Sequence, residues 1–476
     1  MKIRVVAAEA FTRDLRLRMP FRYGIVTMTK VSHLILRLTV EIDGRREIGL
    51  SADNLAPKWF TKNPASSLDD DRDELIAVIR SAAELAIAGG NAGSVFDWWQ
   101  ALTEAQHGAA ERNGWPALLA GFGVSMMERA VMDAFCRARE TTFATAVREN
   151  AFGIRLAELY PELTGEPRDF LPSEPLNELF IRHTVGMADS LTAADIAEAD
   201  HVNDGLPQAL DACIREYGYT LFKIKLSGDV APDIRRLSDL AEVFAREAPG
   251  AALTLDANEM FRAVPPLQNW WQELTSDPFV AGLLERMIFL EQPLHRDIAL
   301  ASETAAALLA WTDRPPMIID ESDAEIGALT TALAGGYCGT SHKNCKGVIH
   351  GLANACLIAH RRRAQPNLQL SGEDLTNIGP VSLQQDLAVI ATLGITHPER
   401  NGEHYFAGLS EFPRPIQETT LKAHPDLYVE HPGGFPAVRI AAGKLSMRSI
   451  NAAPFGYAFA ELPTAELGAP AFHLAS

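Results

Sequence analysis

Between residues 180 and 397, short apolar runs and helical stretches alternate, and this rhythm limits the fold more than any other feature. The runs are 180–187, 219–226, 251–256, 287–291, 316–320, 337–343, 367–371 and 394–397. Each but the last is followed by a segment with helical spacing. Near-continuous apolar strands separated by helices belong to parallel sheets buried on both faces. Eight such units suit a closed α/β barrel.

The flanks read differently. Residues 2–11, 31–42 and 46–51 are strand-like, and Asp43-Gly44 is a hairpin-turn signal, so an antiparallel meander is expected. Helical spacing follows in 71–89, 94–106 and 118–140. Residues 151–178 contain four prolines and little periodicity, as in a linker. The tail, 411–476, holds Pro and Gly turns and short strands, and is expected to pack back on the first domain. The expected organisation is therefore an α+β domain and linker over 1–178, a barrel over 179–410 and a C-terminal segment over 411–476.

Five of the strands stop at a charged residue: Lys225 after Phe222-Lys223-Ile224, Asp256 after Leu253-Thr254-Leu255, Glu291 after Ile288-Phe289-Leu290, Asp320 after Ile318-Ile319, and Lys343 after Ser341-His342. Active sites of such barrels are built at the C-terminal ends of the strands. The gaps of 31, 35, 29 and 23 residues are each about one β/α unit, which places the five side chains on neighbouring strands around one pocket. Any one of them alone reads as a helix cap or a solvated surface charge. Their conjunction at successive strand ends does not.

Three converging carboxylates call for a cation, and oxygen ligands without His or Cys suit Mg²⁺ or Mn²⁺. A lysine beside such a cation is pushed toward the neutral amine and can act as a general base. The cation also stabilises an enediolate made from a substrate carboxylate. The set therefore points to removal of a proton α to a carboxylate.

The formal net charge is -18, with no basic run beyond Arg361-Arg362-Arg363, which argues against a nucleic-acid or anionic-membrane partner. Five scattered cysteines without a C-x-x-C pair, and an N-terminus without a signal-peptide core, fit a reducing, cytoplasmic compartment. Apolar runs are too short to span a membrane. Further residues sit where groups contacting substrate or supporting the metal are expected: Glu321 after the fifth strand, Glu373 and Asp374 after the seventh, and His404 after the eighth. Glu321 reads equally as a helix cap. Lys346 reads as solvent-facing, and His342, alternating with Lys343, faces away from the barrel interior.

Together, Lys-x-Lys at 223–225, Asp256-x-Asn258, Glu291-Gln292-Pro293, Asp320-Glu321-Ser322 and Lys343 resemble the enolase superfamily, and within it the muconate lactonizing enzyme subgroup. The mechanism of such sites, a Lys or His base with Mg²⁺, is general knowledge. The resemblance covers most of the chain, and Glu128 to Asp133 fit the family's helical signature. It implies a modified (β/α)₇β barrel with an α+β capping domain, completed by the C-terminal segment. It also implies Mg²⁺ on Asp256, Glu291 and Asp320, Lys225 and Lys343 on opposite faces of the substrate's α-carbon, Lys223 assisting Lys225, and Asn258 supporting the metal shell. Segments 18–32 and 51–60 would be capping loops that choose a small carboxylate-containing substrate, and a homo-oligomer is expected. Racemisation or epimerisation, cycloisomerisation and dehydration all remain open. The chain departs from the family's pattern in having only Gly347 after the sixth-strand lysine region, and extra residues around 60–115 and 140–180. The eighth-strand position lies among Glu399, Glu403 and His404. From the residues alone, an aldolase-like Schiff-base lysine enzyme and a non-catalytic barrel that only binds ligands are the competing readings.

Overall fold

The computed structural model describes residues 1–459 and 462–475. Ile3–Tyr23, Val26–Ile42 and Arg45–Asn54 form an antiparallel meander, and Phe472–Ala475 pairs with the outer edge of the first strand. Asp43 and Gly44 both take positive φ (50° and 84°), the geometry of a tight hairpin turn that matches strand twist. The first two strands run much further than the apolar pattern suggests, pairing out to Tyr23 and Val26. Segment 18–32 is therefore a two-stranded arm, with an irregularity between Arg16 and Phe21, and not a loop. Its alternating aromatic and β-branched residues favour pairing, and Gly24 turns the chain. Residues 51–54 likewise belong to the third strand.

Helices Leu68–Ala88, Val95–Asn113 and Ala117–Ala138 follow. The first begins at Ser67, whose side chain and that of Asp70 cap each other's backbone. The third is buried along almost its whole length. Its backbone approaches the sheet so closely that a Cβ at Gly49 would lie 1.8 Å from the Ala130 carbonyl oxygen, so only glycine fits there. The same helix touches the barrel: the Ser125 hydroxyl donates to the Asn344 carbonyl at 2.6 Å, and the Val348 amide donates to Glu128.

The barrel strands are Arg182–Val185, Leu221–Lys225, Ala252–Asp256, Met287–Glu291, Met317–Ile319, Gly339–His342, Gln369–Gly372 and Glu399–Arg400. All their pairings are parallel and run in sequence order, with the eighth strand joined to the first. Only the first seven lie at the expected runs. The apolar stretch 394–397 is instead the turn after helix Ser382–Leu393, with Gly394 at φ 75° and Ile395 buried against Gly372. The eighth strand is polar because both its side chains enter buried ionic networks.

The tail contains a helix, Arg414–Ala423, which its Pro413 and Pro415 obscure in the sequence, although Pro415 occupies a tolerated first-turn position. Lys444–Ser446 pairs with Glu178–Phe180. Among the described residues no helix is long and apolar enough to cross a membrane.

Candidate active site

Lys225 lies level with Asp256 on the neighbouring strand, and Asp256 level with Glu291 on the next. Alternation turns Phe222 and Ile224 to the helix layer and leaves Lys223 and Lys225 to the lumen. The second and sixth strands stand four apart in an eight-strand ring, so Lys225 and Lys343 approach the mouth from opposite sides.

The lumen is a buried ionic cluster. Lys223 Nζ donates to Glu291 (2.9 Å), Glu373 (2.7 Å) and Glu399 (2.9 Å), and lies 3.0 Å from Asp256. Lys225 donates to Asp256 at 2.6 Å. Lys343 donates to Asp320 at 2.8 Å and lies 3.3 Å from Glu373. Arg182 closes the floor, donating to Glu373 at 3.0 Å. Lys346 is not solvated: the turn Asn344–Lys346 folds it back, and its ammonium meets the Asp320 carboxylate (3.0 Å) and carbonyl (3.1 Å).

Burial opposes charge on Lys223, yet the four carboxylates outweigh it and hold the ammonium well above its ordinary pKa. Lys343 is held up in the same way by Asp320 and Glu373. Burial also opposes charge on Asp320, but Lys343 and Lys346 pull it well below the carboxylate range. Glu291 goes the other way: burial and the neighbouring Glu373 push it well up.

Three of these carboxylates stand where they could hold a cation. Carboxylate oxygens of Glu291, Asp320 and Glu373 come within 4.8 Å of one another, and Glu291 Oε2 is buried without a hydrogen-bond partner. Glu291 is pushed toward its protonated form while Asp256, Asp320 and Glu373 are held below their ordinary values, and an all-oxygen donor set fits a hard divalent ion. Asp256 falls outside that tight trio, but its neighbour on the ladder is Glu291.

Above the lumen lies a cavity of about 40 Å³. Phe21, Tyr23, Met28, Ala56 and Trp59 line it from the capping side, and Lys225, Asn258, Lys343 and Glu399 from the barrel. Trp59 covers Lys343, with the ammonium 4.7 Å from the ring centroid. Arg296 fixes that segment by donating to the carbonyls of Trp59 (2.8 Å) and Phe60 (2.9 Å) while gripping Glu259.

The remaining expected residues divide. Asn258 lines the cavity, and its amide nitrogens reach both oxygens of Asp256. Glu373 joins the lumen cluster. Asp374 reaches the cavity wall but is paired with Arg400, in a network leading to the capping domain. Glu321 bonds to no lumen lysine. Burial, followed by Glu259 and Asp320, raises it to about 7. His404 is not in the pocket: the short helix Gly402–Tyr405 carries it behind the first strand, beside Cys213 and His183. His342 faces outward, bonded to Asn344 and packed on Gly351. Sequence reasoning missed Arg182 and left Glu399 unresolved. A charged pair in so short a strand was the available signal.

No family model and no curated protein matches the sequence. Solved structures do match the fold. The mandelate racemase/muconate lactonizing protein of Herpetosiphon aurantiacus has a TM-score of 0.60 at 17% identity, covering 95% of this chain and 98% of that one. The muconate lactonizing enzyme of Pseudomonas fluorescens, complexed with muconolactone, has a TM-score of 0.61 at 16% identity, covering 98% of both. The dipeptide epimerase of Cytophaga hutchinsonii, complexed with Mg and D-Ala-L-Val, has a TM-score of 0.55 at 15% identity, covering 93% and 96%. The chain thus has the mandelate racemase/muconate lactonizing enzyme-like fold of the enolase superfamily, a barrel with an N-terminal antiparallel-sheet domain.

Proposed function

We propose that this chain is a Mg²⁺-dependent enzyme, with Mn²⁺ as a substitute, that removes a proton α to the carboxylate of a small substrate. The observation that carries this is the pairing of two lysines from opposite sides of the barrel with carboxylates of two different strand ends, around one covered cavity. Structures of this fold include racemases, epimerases and muconate lactonizing enzymes, which supports the reaction type.

Asp256, Glu291 and Asp320 would hold the cation. Bound there, Mg²⁺ would supply positive charge that keeps Glu291 ionised, offsets negative charge developing on the substrate carboxylate and disfavours the ammonium form of nearby lysines. The chain's residues do the rest. Trp59, Tyr23 and Phe21 exclude water and meet the apolar body of the substrate. One of Lys225 and Lys343, as the neutral amine, takes the α-proton. The other, as the ammonium, returns a proton to the opposite side, which inverts the centre. If a β-substituent departs instead, the outcome is dehydration or cycloisomerisation. Lys223, surrounded by four carboxylates, stays charged and positions them.

Racemisation or epimerisation is the reading the geometry favours, because both lysines reach the same cavity. The test is solvent-deuterium incorporation across a panel of carboxylic acids, amino acids, dipeptides and sugar acids with Mg²⁺. Incorporation at the α-carbon, abolished by EDTA, is expected. Incorporation that survives EDTA would sink the metal-dependent mechanism.

A further inference from the structure

His404 lies in a second cluster that the proton-transfer chemistry does not use. His183 sits on the outer side of the first barrel strand, since its neighbour Thr184 reaches Glu399 in the lumen. Cys213 comes from helix Leu210–Tyr217, which covers that strand, and His404 from the helix after the eighth strand. One donor atom from each of the three lies within 4.8 Å of the others. All three residues are buried, His404 being the most exposed at 4%.

We propose that His183, Cys213 and His404 form a zinc site that pins the seam of the barrel. The donor set is one thiolate and two imidazoles, which suits Zn²⁺ and not the hard ion of the lumen. Cys213 Sγ and His404 Nδ1 are 3.6 Å apart. Zn–S of about 2.3 Å and Zn–N of about 2.0 Å at a tetrahedral angle give a ligand–ligand edge of about 3.5 Å. His183 Nδ1 is buried without a hydrogen-bond partner, so that ring holds an unused ligand atom. Its plane is set by stacking on Tyr219 (4.6 Å, 12°).

The surroundings complete the case. His404 Nε2 lies 3.9 Å from Asp189 Oδ2, which places a carboxylate behind a metal-binding histidine or in the fourth position. Tyr405 donates to that same carboxylate at 2.7 Å and fixes it. A cavity of about 510 Å³, with His404 and Asp189 in its wall, gives a path in from solvent. Binding replaces the Cys213 thiol proton, which leaves to solvent. The eighth strand pairs with the first through two residues alone and has no ladder to the seventh among the described residues, so a cation tying strand one, its helix and the helix after strand eight would reinforce a two-residue junction.

The test uses the full chain, stripped with a chelator and titrated with Co²⁺ in saturating Mg²⁺, which occupies oxygen-only sites. One equivalent of Co²⁺ should develop a thiolate-to-cobalt charge-transfer band and be displaced by Zn²⁺. The band should vanish in Cys213→Ser and persist in Cys136→Ser, whose thiol is buried elsewhere. Zn²⁺ affinity of Cys213→Ser should fall at least about tenfold. No band, or a band that survives in Cys213→Ser, overturns the proposal. Should Cys213→Ser not fold, zinc X-ray absorption on the wild-type protein decides: one sulfur in the first shell supports the site, and a shell of oxygen and nitrogen alone overturns it.

Discussion

Glu373 and Asp374 are adjacent carboxylates, yet they live in opposite electrostatic worlds. Glu373 enters the lumen, where burial opposes its charge but Lys223 and Lys343 outweigh that and hold it well below its ordinary pKa. Asp374 turns into the seam between barrel and capping domain, where burial raises it to about 7 despite Arg400. The seam is acid-rich: Asp53, Asp374 and Asp386 share Arg129 and Arg400, bridged by the Asn377 amide. The lumen is amine-rich and redundant. Asp256 has Lys223 and Lys225, and Asp320 has Lys343 and Lys346. A reactive network needs lysines that can change charge without leaving a buried carboxylate alone. A clamp does not, and it carries no spares.

The largest effect should come from the lysines. Lys225→Ala and Lys343→Ala should each lower α-proton exchange on the order of 10²–10⁴-fold, read by deuterium incorporation per folded molecule. Because each partner carboxylate keeps a second ammonium, the urea midpoint should move little. Full exchange in both variants would dissolve the distinction between the two networks.

The clamp should respond in the opposite way. Arg129→Ala strips Asp53 of its ion-pair partner and should cost about 3–5 kcal/mol in urea denaturation. If the loss is no larger than for Lys225→Ala, the seam is not the structural member of the pair.

An effect read as a slope, smaller within any one pH unit, separates the adjacent acids by pH. Asp374 has a folded pKa of about 7 against an ordinary 3.8, so the stability it lends is whole below pH 3.8 and is lost as pH rises through 7. Asp374→Asn removes that loss. Relative to wild type, the variant should gain about 1.4 kcal/mol per pH unit between pH 4 and 7, measured by urea denaturation. Glu373→Gln should not gain stability over this range, since the lumen holds Glu373 well below its ordinary value.

Much of the site was legible because a buried parallel strand is apolar until it reaches the mouth, so Lys225, Asp256, Glu291, Asp320 and Lys343 stand out at their ends. Alternation alone placed His342 outside. What could not be read was pairing across the ring. Nothing in Glu373-Asp374 says which residue turns inward, because the strand ends at Gly372, before either of them. Lys346 looks solvated until a 3₁₀ turn folds it under Asp320. The apolar signal points away from the eighth strand because that strand's residues serve ionic networks, while the apolar Ile395 beside it packs a turn. The hairpin arm over the mouth reads as loop in the sequence because its tip, Gly24-Ile25, lies well beyond the apolar core of the strands.

The central claim is that Asp256, Glu291 and Asp320 hold one divalent cation among these lysines. Calorimetric titration of Mg²⁺ into the wild type and into Glu291→Gln tests it most directly, because Glu291 Oε2 is buried without a hydrogen-bond partner and the carboxyl is held well above its ordinary pKa. One Mg²⁺ per chain in the wild type, weakened at least about tenfold in Glu291→Gln, is the predicted result. No Mg²⁺ uptake, or equal affinity in the two proteins, would contradict it.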